Sequence, residues 1–522
     1  MIVAAHPLAA KAGLEILKKG GNAIDAAVAT AFALNACEPF ASGIGGGGFM
    51  VIYLASEKRV TVINFREKAP SEIPRQIFND EGKIKPDGLA IAVPGALAGW
   101  DYALKKYGTK NLADVMQEAI EIAEKGFVVS QTFSRINKDE YEKIIMNAGE
   151  EICYLNQGFP YEPGDLFQNH ELARTFKIIA SKGIDEFYKR EIAQKIVKAV
   201  KEKGGVMSLK DLALYEPVEQ TPLKGIYKDY TLSTLPPPSS GGLHIIQLLN
   251  VVENWPIKKW GYNSPLYIHH FCEALRFVFA DRARYLGDPD FISMPIKDLI
   301  SKMYATKIVS QIKPDHLLDF YPFGKFDERE NNKENTTHIC IIDKKGNIVS
   351  LTQSINHFFG SGIVPENTGF LLNNLMYDFS RDPSSPNAPR PHRRPVSSMG
   401  PLIMFKKEKP FLALGSPGGT RIFSSLTQII INIIDFDMSL DEAIEAPRFF
   451  TYSSQGKARS IFLESRVPEK TVEILEKIGH GIKIREAFDK YFGGAQGILI
   501  LKDKKVILGG ADSRRDGYGA GY

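Results

Sequence analysis

The sequence predicts an α+β fold, in which helices and strands both supply the core. Two observations support this prediction. Segments 7–17, 23–36 and much of 100–210 have apolar residues at helical spacing. From residue 336 onward, short apolar runs alternate with turn residues, as in strands joined by tight connections. Runs of helix followed by runs of strand are typical of α+β proteins.

The N-terminal elements follow from local patterns. Residues 7–17 predict a helix that ends at the following glycines, and residues 23–36 predict an Ala-rich helix that is apolar on most sides and therefore buried. Strands are expected over residues 49–54 and 59–65. The glycine run at 42–48 precedes a strand and lacks Gly-Lys-Ser/Thr. It therefore indicates close backbone packing at a helix-to-strand corner rather than a phosphate loop.

The middle of the chain predicts further core helices. The turn at 236–242 could be a Pro-rich linker, but the apolar helix expected over 244–252 indicates that the turn packs against another segment. Residues 267–281 have apolar side chains at helical spacing. His269 and His270 are adjacent in this helix and point in different directions, and no third ligand lies nearby, so we expect no metal site.

Composition excludes several classes of protein. The 522 residues carry a net charge of +4, which argues against a nucleic-acid partner. The four cysteines lie far apart without a CxxC motif, so we expect neither a zinc ribbon nor disulfides. No apolar run reaches the roughly 18–20 residues that cross a bilayer, and no signal peptide is recognisable. As it stands, the chain is expected to be cytoplasmic and without a membrane span.

The most informative stretch is Asn335–His338. A charged segment, Asp327–Glu334, precedes it, and the strand-like run Ile339–Ile342 follows it. We therefore expect a solvated, cleavable loop that leads directly into a buried strand. A Thr at the head of such a strand can act as a nucleophile once the preceding peptide bond is cut, with its own α-amine as base. Thr336 is the candidate nucleophile.

The following hairpin predicts what faces Thr336. If Asp343 pairs with Asn347 across the turn, Thr336 lies opposite Ser354, with Asn356 two residues further along on the same face. A shift of one residue would place Ile355 there instead. The pattern by itself leaves two interpretations open, a catalytic pair of hydroxyls and an ordinary Thr–Ser cross-strand pair.

Other candidate residues stand at the ends of predicted strands. Gly418 and Gly419 follow a strand and open a helix, where two backbone N–H groups can form an oxyanion hole. A plain tight turn is the alternative. Arg66 stands where a strand ends, a common place for a functional side chain, but its position alone favours a surface arginine. Asp378 is a candidate anchor for a substrate amine, and an exposed capping residue is the alternative. Ser397-Ser398 offers two hydroxyls before a strand.

Several long segments of the chain resemble one known family. They are Ser42–Phe49 (SGIGGGGF), Phe65–Pro70 (FREKAP), Pro94-Gly95 with Gly99-Trp100, Pro236–Gly242 (PPPSSGG), Ala280–Phe291 (ADRARYLGDPDF), Asn335–His338 (NTTH), Gly415–Thr420 (GSPGGT) and Gly509–Tyr522 (GGADSRRDGYGAGY). Together they closely resemble the γ-glutamyltranspeptidases of the N-terminal-nucleophile hydrolase superfamily.

The resemblance implies a four-layer αββα sandwich and self-cleavage between Asn335 and Thr336. It implies a large subunit, residues 1–335, and a small subunit, residues 336–522, which stay together as a heterodimer and could pair into a homodimer of heterodimers. Cleavage would proceed by an N→O acyl shift and hydrolysis, without metal or cofactor. The implied activity is transfer of a γ-glutamyl group, from glutathione or a related amide, to water or an amino acid. Many members of the family are exported.

The resemblance also implies catalytic roles. Thr336 would be the nucleophile, and its α-amine the base. Ser354 stands where the family usually has Thr and would supply a supporting hydrogen bond. The N–H groups of Gly418 and Gly419 would stabilise the oxyanion.

The remaining implied roles concern the amino-acid end of the γ-glutamyl group. Arg66 would pair with its α-carboxylate, for which a guanidinium offers a two-pronged donor. Asp378 would bind its α-ammonium. Asn356, Ser397 and Ser398 would hold both groups.

One position departs from the family pattern. The residue three before Asp378 is usually polar, and here it is Leu375. This favours, as an alternative, an acylase for glutaryl amides or a poly-γ-glutamate hydrolase. A third alternative is an uncleaved, inactive relative that binds γ-glutamyl compounds. Between Asp378 and Ser397 the chain is short and rich in Pro and Arg, which predicts an open, basic mouth to the site.

Overall fold

The computed structural model describes residues 1–318, 334–452 and 459–521. Most of the predicted loop at 327–334 therefore lies outside the described residues. Its last residue, Glu334, does not belong to a loop but is the first residue of a strand.

The strands of the described residues are mostly short. They are β1 (Ile2–Ala4), β2 (Gly47–Leu54), β3 (Arg59–Asn64), β4 (Phe127–Val128), β5 (Leu166–Phe167), β6 (Val218–Gln220), β7 (Leu223–Tyr227), β8 (Tyr230–Thr234), β9 (Glu334–Ile342), β10 (Ile348–His357), β11 (Leu402–Lys406), β12 (Lys409–Gly415), β13 (Phe449–Phe450), β14 (Ser460–Glu464), β15 (Gly481–Arg485), β16 (Gln496–Leu501), β17 (Val506–Ala511) and β18 (Tyr518–Ala520).

The helices range from one turn to 21 residues. They are α1 (Pro7–Lys18), α2 (Ala23–Cys37), α3 (Ala96–Tyr107), α4 (Leu112–Lys125), α5 (Gln131–Asp139), α6 (Tyr141–Ala148), α7 (His170–Lys182), α8 (Asp185–Tyr188), α9 (Glu191–Glu202), α10 (Leu209–Ala213), α11 (Gly241–Val252), α12 (Ile257–Trp260), α13 (Pro265–Tyr285), α14 (Ile296–Leu299), α15 (Lys302–Gln311), α16 (Ile422–Ile434), α17 (Leu440–Glu445) and α18 (Glu469–Ile478).

Two large sheets form the centre of the fold. The first has the strand order β18-β1-β9-β10-β2-β3-β6, and the second has the order β17-β16-β12-β11-β8-β7. Every pairing in both sheets is antiparallel. Two small sheets, β13-β14-β15 and β4-β5, lie apart from them. The predicted helical stretch 100–210 is thus interrupted by the short β4-β5 pair.

The two sheets pack face to face, and helices cover their outer faces. Strand β2 alternates in the way this requires, since Met50 and Ile52 belong to the core beneath α2, whereas Val51 and Tyr53 face the second sheet. The Tyr53 ring packs edge-on against Phe405 of β11, at 5.2 Å between ring centres. Helices α1, α2 and α3 lie against the first sheet, and α11, α16 and α17 lie against the second. Helix α4 packs on α2, and α13 packs on α11. The predicted αββα sandwich is confirmed.

Helix α2 lies at the centre of the first helical layer. Asn22 and Asp25 form a capping box at its start, and all 15 of its residues are buried. Its small Ala side chains allow α1 and α4 to approach on either side. The predicted burial of this helix is therefore confirmed. Across the described residues, no helix has the length and apolar character to cross a membrane.

The glycine run after α2 lies at the predicted helix-to-strand corner. A Cβ on Gly46 would come within 2.0 Å of the Ser354 carbonyl oxygen, and one on Gly48 within 2.2 Å of the Thr352 carbonyl oxygen. Side chains cannot fit at these distances, so the glycines allow this corner to pack directly on β10. This is close backbone packing, as the sequence predicts.

A buried ionic network joins the C-terminal turn at residues 512–514 to residues 448, 464 and 492. Asp512 accepts hydrogen bonds from Arg448, at 2.6 Å, and from Arg514, at 3.0 Å. Arg514 also pairs with Glu464, and Arg448 donates to the Phe492 carbonyl at 2.9 Å. Burial raises the pKa of Asp512, but the two guanidinium groups and backbone donors outweigh it and lower that pKa to about 2.

We expect Asp512→Ala to lower the free energy of unfolding by about 3–5 kcal/mol, because it leaves buried guanidinium groups without their carboxylate. Urea unfolding measures this. Glu366→Ala removes an exposed ion pair with Lys198 and should cost about 0–1 kcal/mol. The Asp512 contribution is complete above its ordinary pKa of 3.8 and is lost as the pH falls towards 2. Equal losses in the two variants at neutral pH would contradict this account.

Candidate active site

Thr336 lies inside a continuous strand. Strand β9 runs between β1 and β10, and its pairing with β10 follows the predicted register from Ile342–Ile348 to Thr337–Gln353. The register then shifts by one residue, so that Asn335 pairs with Asn356. The predicted register is therefore correct up to Thr337, and a β-bulge begins at Thr336. Asn356 has φ of 75° at this bulge, a conformation that Asn tolerates better than most residues.

The bulge brings Ser354 to the peptide group before Thr336. The Ser354 hydroxyl donates to the Asn335 backbone carbonyl and accepts the Asn356 N–H at 2.7 Å. We expected the Ser354 and Thr336 hydroxyls to meet across the hairpin. The structure instead directs the Ser354 hydroxyl at the carbonyl of the candidate cleavage site, because the register shift moves it past Thr336.

A small cavity brings the predicted site residues together. Its volume is ≈ 20 Å³, about the space that one water molecule needs. Its wall is formed by Arg66, Asn335, Thr336, Ser354, Asn356, Leu375, Asp378, Ser397, Ser398, Met399, Gly419 and Ile422. Of the predicted site residues, only Gly418 is missing from this wall, and it directly precedes Gly419.

Arg66 and Asp378 contact each other in this cavity. An Nη atom of Arg66 donates to an Asp378 carboxylate oxygen. The Arg66 side chain is 1% exposed, and the Asp378 side chain is 12% exposed. Burial raises the pKa of Asp378, and the Arg66 guanidinium opposes this rise. We expected each residue to meet the opposite charge of a bound substrate. In the structure, the two side chains pair with each other.

Glu67 is a second carboxyl group beside Arg66. It lies 3.8 Å from the guanidinium, and neither of its oxygens has a hydrogen-bond partner in the described part of the chain. Burial raises its pKa to about 8, and Arg66 lowers it by less. Glu67 therefore carries less negative charge at neutral pH than an ordinary carboxyl group, and Asp378 is the carboxyl group that hydrogen-bonds to Arg66.

The two serines are positioned by the Pro-rich turn. The Ser240 N–H donates to the Ser397 carbonyl at 2.7 Å, and the Ser397 N–H donates to the Pro238 carbonyl at 3.0 Å. A Cβ on Gly241 would lie 2.5 Å from the Ser398 carbonyl oxygen. The turn is therefore a packing element of the site and not a linker, as the sequence predicts.

Gly418 and Gly419 lie between β12 and α16, as expected from the strand-to-helix pattern. Gly418 has φ of 131°, which favours glycine, and Gly419 has φ of 57° and begins a short 3₁₀ turn. Gly493 packs against Gly418, with 3.1 Å between its Cα and a Cβ built on Gly418. Arg448 of the ionic network donates to the carbonyl of Phe492, the residue before Gly493. The network therefore helps to hold Gly493 against Gly418.

Leu375 is completely buried and lines the cavity beside Asp378. It begins a short 3₁₀ turn, Leu375–Asp378, whose start is fixed by the Asn373 side chain accepting the Leu375 N–H at 3.0 Å. The position that we singled out as a departure from the family pattern therefore faces the amino-acid end of the predicted site.

Arg515 is a site residue that the sequence analysis did not identify. Its guanidinium donates to the Thr336 carbonyl at 2.8 Å and to the Asn335 side-chain oxygen. The only signal was the C-terminal segment GGADSRRDGYGAGY, which contributed to the resemblance as a whole. Nothing in its local pattern indicates that it reaches the strand around Thr336, 179 residues earlier in the chain.

Comparison with known proteins shows the family of this chain. A sequence model of the gamma-glutamyltranspeptidase family matches residues 9–522. The chain belongs to this family. It is 38% identical to the glutathione hydrolase proenzyme of Escherichia coli strain K12, over 100% of this chain and 92% of that protein. It is 37% identical to the acylase ACY 1 proenzyme of Pseudomonas sp. strain SE83, over 99% of this chain and 92% of that protein.

A solved structure has the same fold. The cephalosporin acylase from Bacillus halodurans superimposes with a TM-score of 0.87 at 28% identity, and the match covers 100% of this chain and 95% of that one. The predicted family and superfamily are confirmed. The relatives include proteins named as hydrolases and proteins named as acylases.

We expect Ser354→Ala to slow self-cleavage at Asn335–Thr336 by about 10²–10³-fold, the usual cost of losing one donor to a reacting carbonyl. Ser354→Thr keeps the hydroxyl and should cleave at close to the unmutated rate. The measurement is the conversion of one band into two on a denaturing gel over time.

Ser350→Ala is the matched control, since Ser350 lies on the same strand but donates to the Leu414 carbonyl. Cleavage of Ser354→Ala at the rate of this control would show that the hydrogen bond to Asn335 does not contribute.

Proposed function

We propose that the protein is a self-cleaving γ-glutamyl hydrolase and transferase, with Thr336 as its nucleophile. The observation that carries this proposal is the Arg66–Asp378 ion pair in the same cavity as Thr336. It provides one positive and one negative group at fixed positions beside a hydroxyl that can form an acyl-enzyme.

Maturation would begin in the intact chain. The Thr336 hydroxyl attacks the Asn335 carbonyl carbon, the C–N bond breaks, and the hydroxyl proton ends on the nitrogen. Water then hydrolyses the resulting ester, which leaves a carboxylate on Asn335 and restores the hydroxyl beside a free α-amine. The Ser354 hydroxyl is placed to stabilise negative charge on the Asn335 oxygen during both steps.

The products would be residues 1–335 and residues 336–522, still held in one particle. Strands β1, β2, β3 and β6 of the first sheet come from the first segment, and β9, β10 and β18 come almost wholly from the second. The second sheet is likewise shared between the two segments. Cleavage therefore cuts one peptide bond without removing any strand pairing beyond the first two residues of β9.

In the mature enzyme, the α-amine of Thr336 would take the proton from its own hydroxyl as that hydroxyl attacks the γ-carbonyl. The N–H groups of Gly418 and Gly419 would stabilise the oxyanion, and the amine of the leaving group departs with a proton. Water or an amino acid then attacks the acyl-enzyme on Thr336. This last choice separates hydrolysis from transfer.

Charge complementarity favours a γ-glutamyl group. Such a group carries a carboxylate and an ammonium on one carbon. Its carboxylate can pair with Arg66 and its ammonium with Asp378, so that two new ion pairs replace the one between these residues. The polar side chains of Asn356, Ser397 and Ser398 would surround both groups. A group with only the carboxylate would take Arg66 and leave Asp378 as a buried, unpaired charge, which costs several kcal/mol. The ≈ 20 Å³ cavity of the intact chain is too small for either group, so Asn335 has to move away after cleavage.

A second candidate is an acylase that acts on glutaryl amides or poly-γ-glutamate. Leu375 favours it, because an apolar side chain in the cavity wall offers the α-ammonium no second partner. The similarity to the acylase ACY 1 proenzyme supports the same possibility.

The deciding experiment combines a gel with two substrates. We expect the unmutated protein to give two bands and Thr336→Ala one, and the cleaved enzyme to hydrolyse a γ-glutamyl anilide faster than a glutaryl anilide. N-terminal sequencing of the small fragment should begin at Thr336. A faster reaction with the glutaryl compound would support the acylase, and a single band for the unmutated protein would support an inactive binding protein.

The role of Leu375 can be tested separately. Leu375→Gln should raise the preference for γ-glutamyl over glutaryl anilide by about tenfold or more, because a hydrogen bond to a charged group contributes about 1.5–3 kcal/mol. The ratio of the two kcat/KM values measures this. Leu375→Met changes shape but adds no strong acceptor, and an equal change of the ratio in both variants would contradict the assignment.

A further inference from the structure

The chemistry proposed above does not use Arg515, although this residue contacts both sides of the bond to be cut. One Nη atom donates to the Thr336 carbonyl at 2.8 Å, and the other donates to the side-chain oxygen of Asn335. The Arg515 side chain is 4% exposed. A cation buried this deeply against two consecutive residues restricts how the bond between them can move.

The Asn335 side chain is held by these contacts. Its oxygen also accepts the Thr336 N–H at 2.8 Å, so one oxygen bridges the N–H of the scissile peptide and the guanidinium. The Asn335 side-chain NH₂ group has no hydrogen-bond partner in the described ranges 1–318, 334–452 and 459–521. The orientation of Asn335 therefore depends on Arg515 and on the scissile N–H.

Arg515 is itself fixed from three sides. Glu38, at the C-terminal end of α2, lies 3.6 Å from its guanidinium. The next residue, Asp516, accepts hydrogen bonds from the hydroxyls of Ser130, at 2.7 Å, and Thr132, at 2.8 Å. The preceding residue, Arg514, belongs to the buried network around Asp512. The guanidinium is thus anchored to the helical layer and to the C-terminal strands, and it bridges both to β9.

We propose that Arg515 is a positioning residue for self-cleavage, which holds the Asn335 side chain and the Thr336 carbonyl while the Thr336 hydroxyl attacks. This inference rests on the proposed self-cleavage. Displacing a reacting group by about 1 Å can cost about 10²-fold in rate, and loss of Arg515 frees the peptide on both sides of the bond.

The two contacts have different fates after cleavage. Thr336 and Arg515 lie in the same fragment, residues 336–522, so the contact with the Thr336 carbonyl remains. The contact with Asn335 is lost when that residue leaves. Arg515 should therefore influence the rate of cleavage more than the turnover of the mature enzyme.

The test uses Arg515→Met and Arg515→Lys in the full chain. We expect Arg515→Met to slow the conversion of one band into two by about 10²-fold. Lys keeps the charge but lacks the planar two-pronged donor, so Arg515→Lys should recover only part of this loss. Once fully cleaved, Arg515→Met should keep kcat/KM for the γ-glutamyl anilide within about tenfold of the unmutated enzyme. Arg190→Met, at a side chain that is 67% exposed, is the control and should cleave normally.

A double-mutant cycle identifies the contact responsible. Asn335→Ala should also slow cleavage, and the double variant Asn335→Ala/Arg515→Met should be less than additively slower, because both changes remove one interaction. Additive effects would overturn the inference. The same holds if Arg515→Met cleaves as fast as the unmutated chain. If the unmutated chain itself stays intact, the proposed function fails instead.

An effect of Arg515→Met on folding can be distinguished from an effect on cleavage in a chain that cannot cleave, because it lacks the Thr336 hydroxyl. Melting temperatures of Thr336→Ala and of Thr336→Ala/Arg515→Met compare two intact chains. We expect a difference of a few degrees at most. A large fall in melting temperature, together with no partial rescue by Arg515→Lys, would assign Arg515 a structural role and overturn the inference.

Discussion

The pairing of β9 with β10, and the bulge that interrupts it, is the constraint on which the site depends. Regular pairing continues through Thr337 and then shifts by one residue. The shift turns the Ser354 hydroxyl towards the Asn335 carbonyl and places Asn356 in a left-handed conformation. Regular hydrogen bonding between β9 and β10 would hold the peptide group before Thr336 like any other peptide group of the strand. The bulge removes it from the ladder and surrounds it with side-chain donors.

This arrangement is possible because neighbouring backbone segments pack directly against one another around the site. The glycine run after α2 lets the helix-to-strand corner lie directly on β10 near Ser354, and the turn at Gly241 does the same for Ser397 and Ser398. Gly46, Gly48 and Gly241 each stand where a Cβ would overlap a carbonyl oxygen. The site is therefore built from backbone segments brought together from distant parts of the chain, and larger side chains at these glycines would push the walls of the cavity apart.

Charge organises the other end of the cavity. Arg66 and Asp378 balance each other in the closed site, and Glu67, with its pKa raised to about 8 by burial, adds less negative charge at neutral pH than an ordinary carboxyl group. A buried ion pair stays stable only while both partners are satisfied. The same pair therefore serves the intact chain as a structural contact and can serve a zwitterionic group as two separate contacts. In the proposed function, Leu375 would leave recognition of the ammonium to Asp378 and the nearby hydroxyls.

Local pattern determined much of this protein. The helices α1, α2 and α4, the hairpin turn between Asp343 and Asn347 and the packing role of the glycine runs follow from periodicity and turn chemistry, and the motifs around Thr336 identified the family. Tertiary structure alone decided the bulge at Thr336, the Arg66–Asp378 pair and the reach of Arg515 to Asn335. Periodicity describes which face a residue lies on, but it contains no information about contacts between segments far apart in sequence. Those contacts depend on how two sheets and their helices pack, and the candidate site lies where they meet.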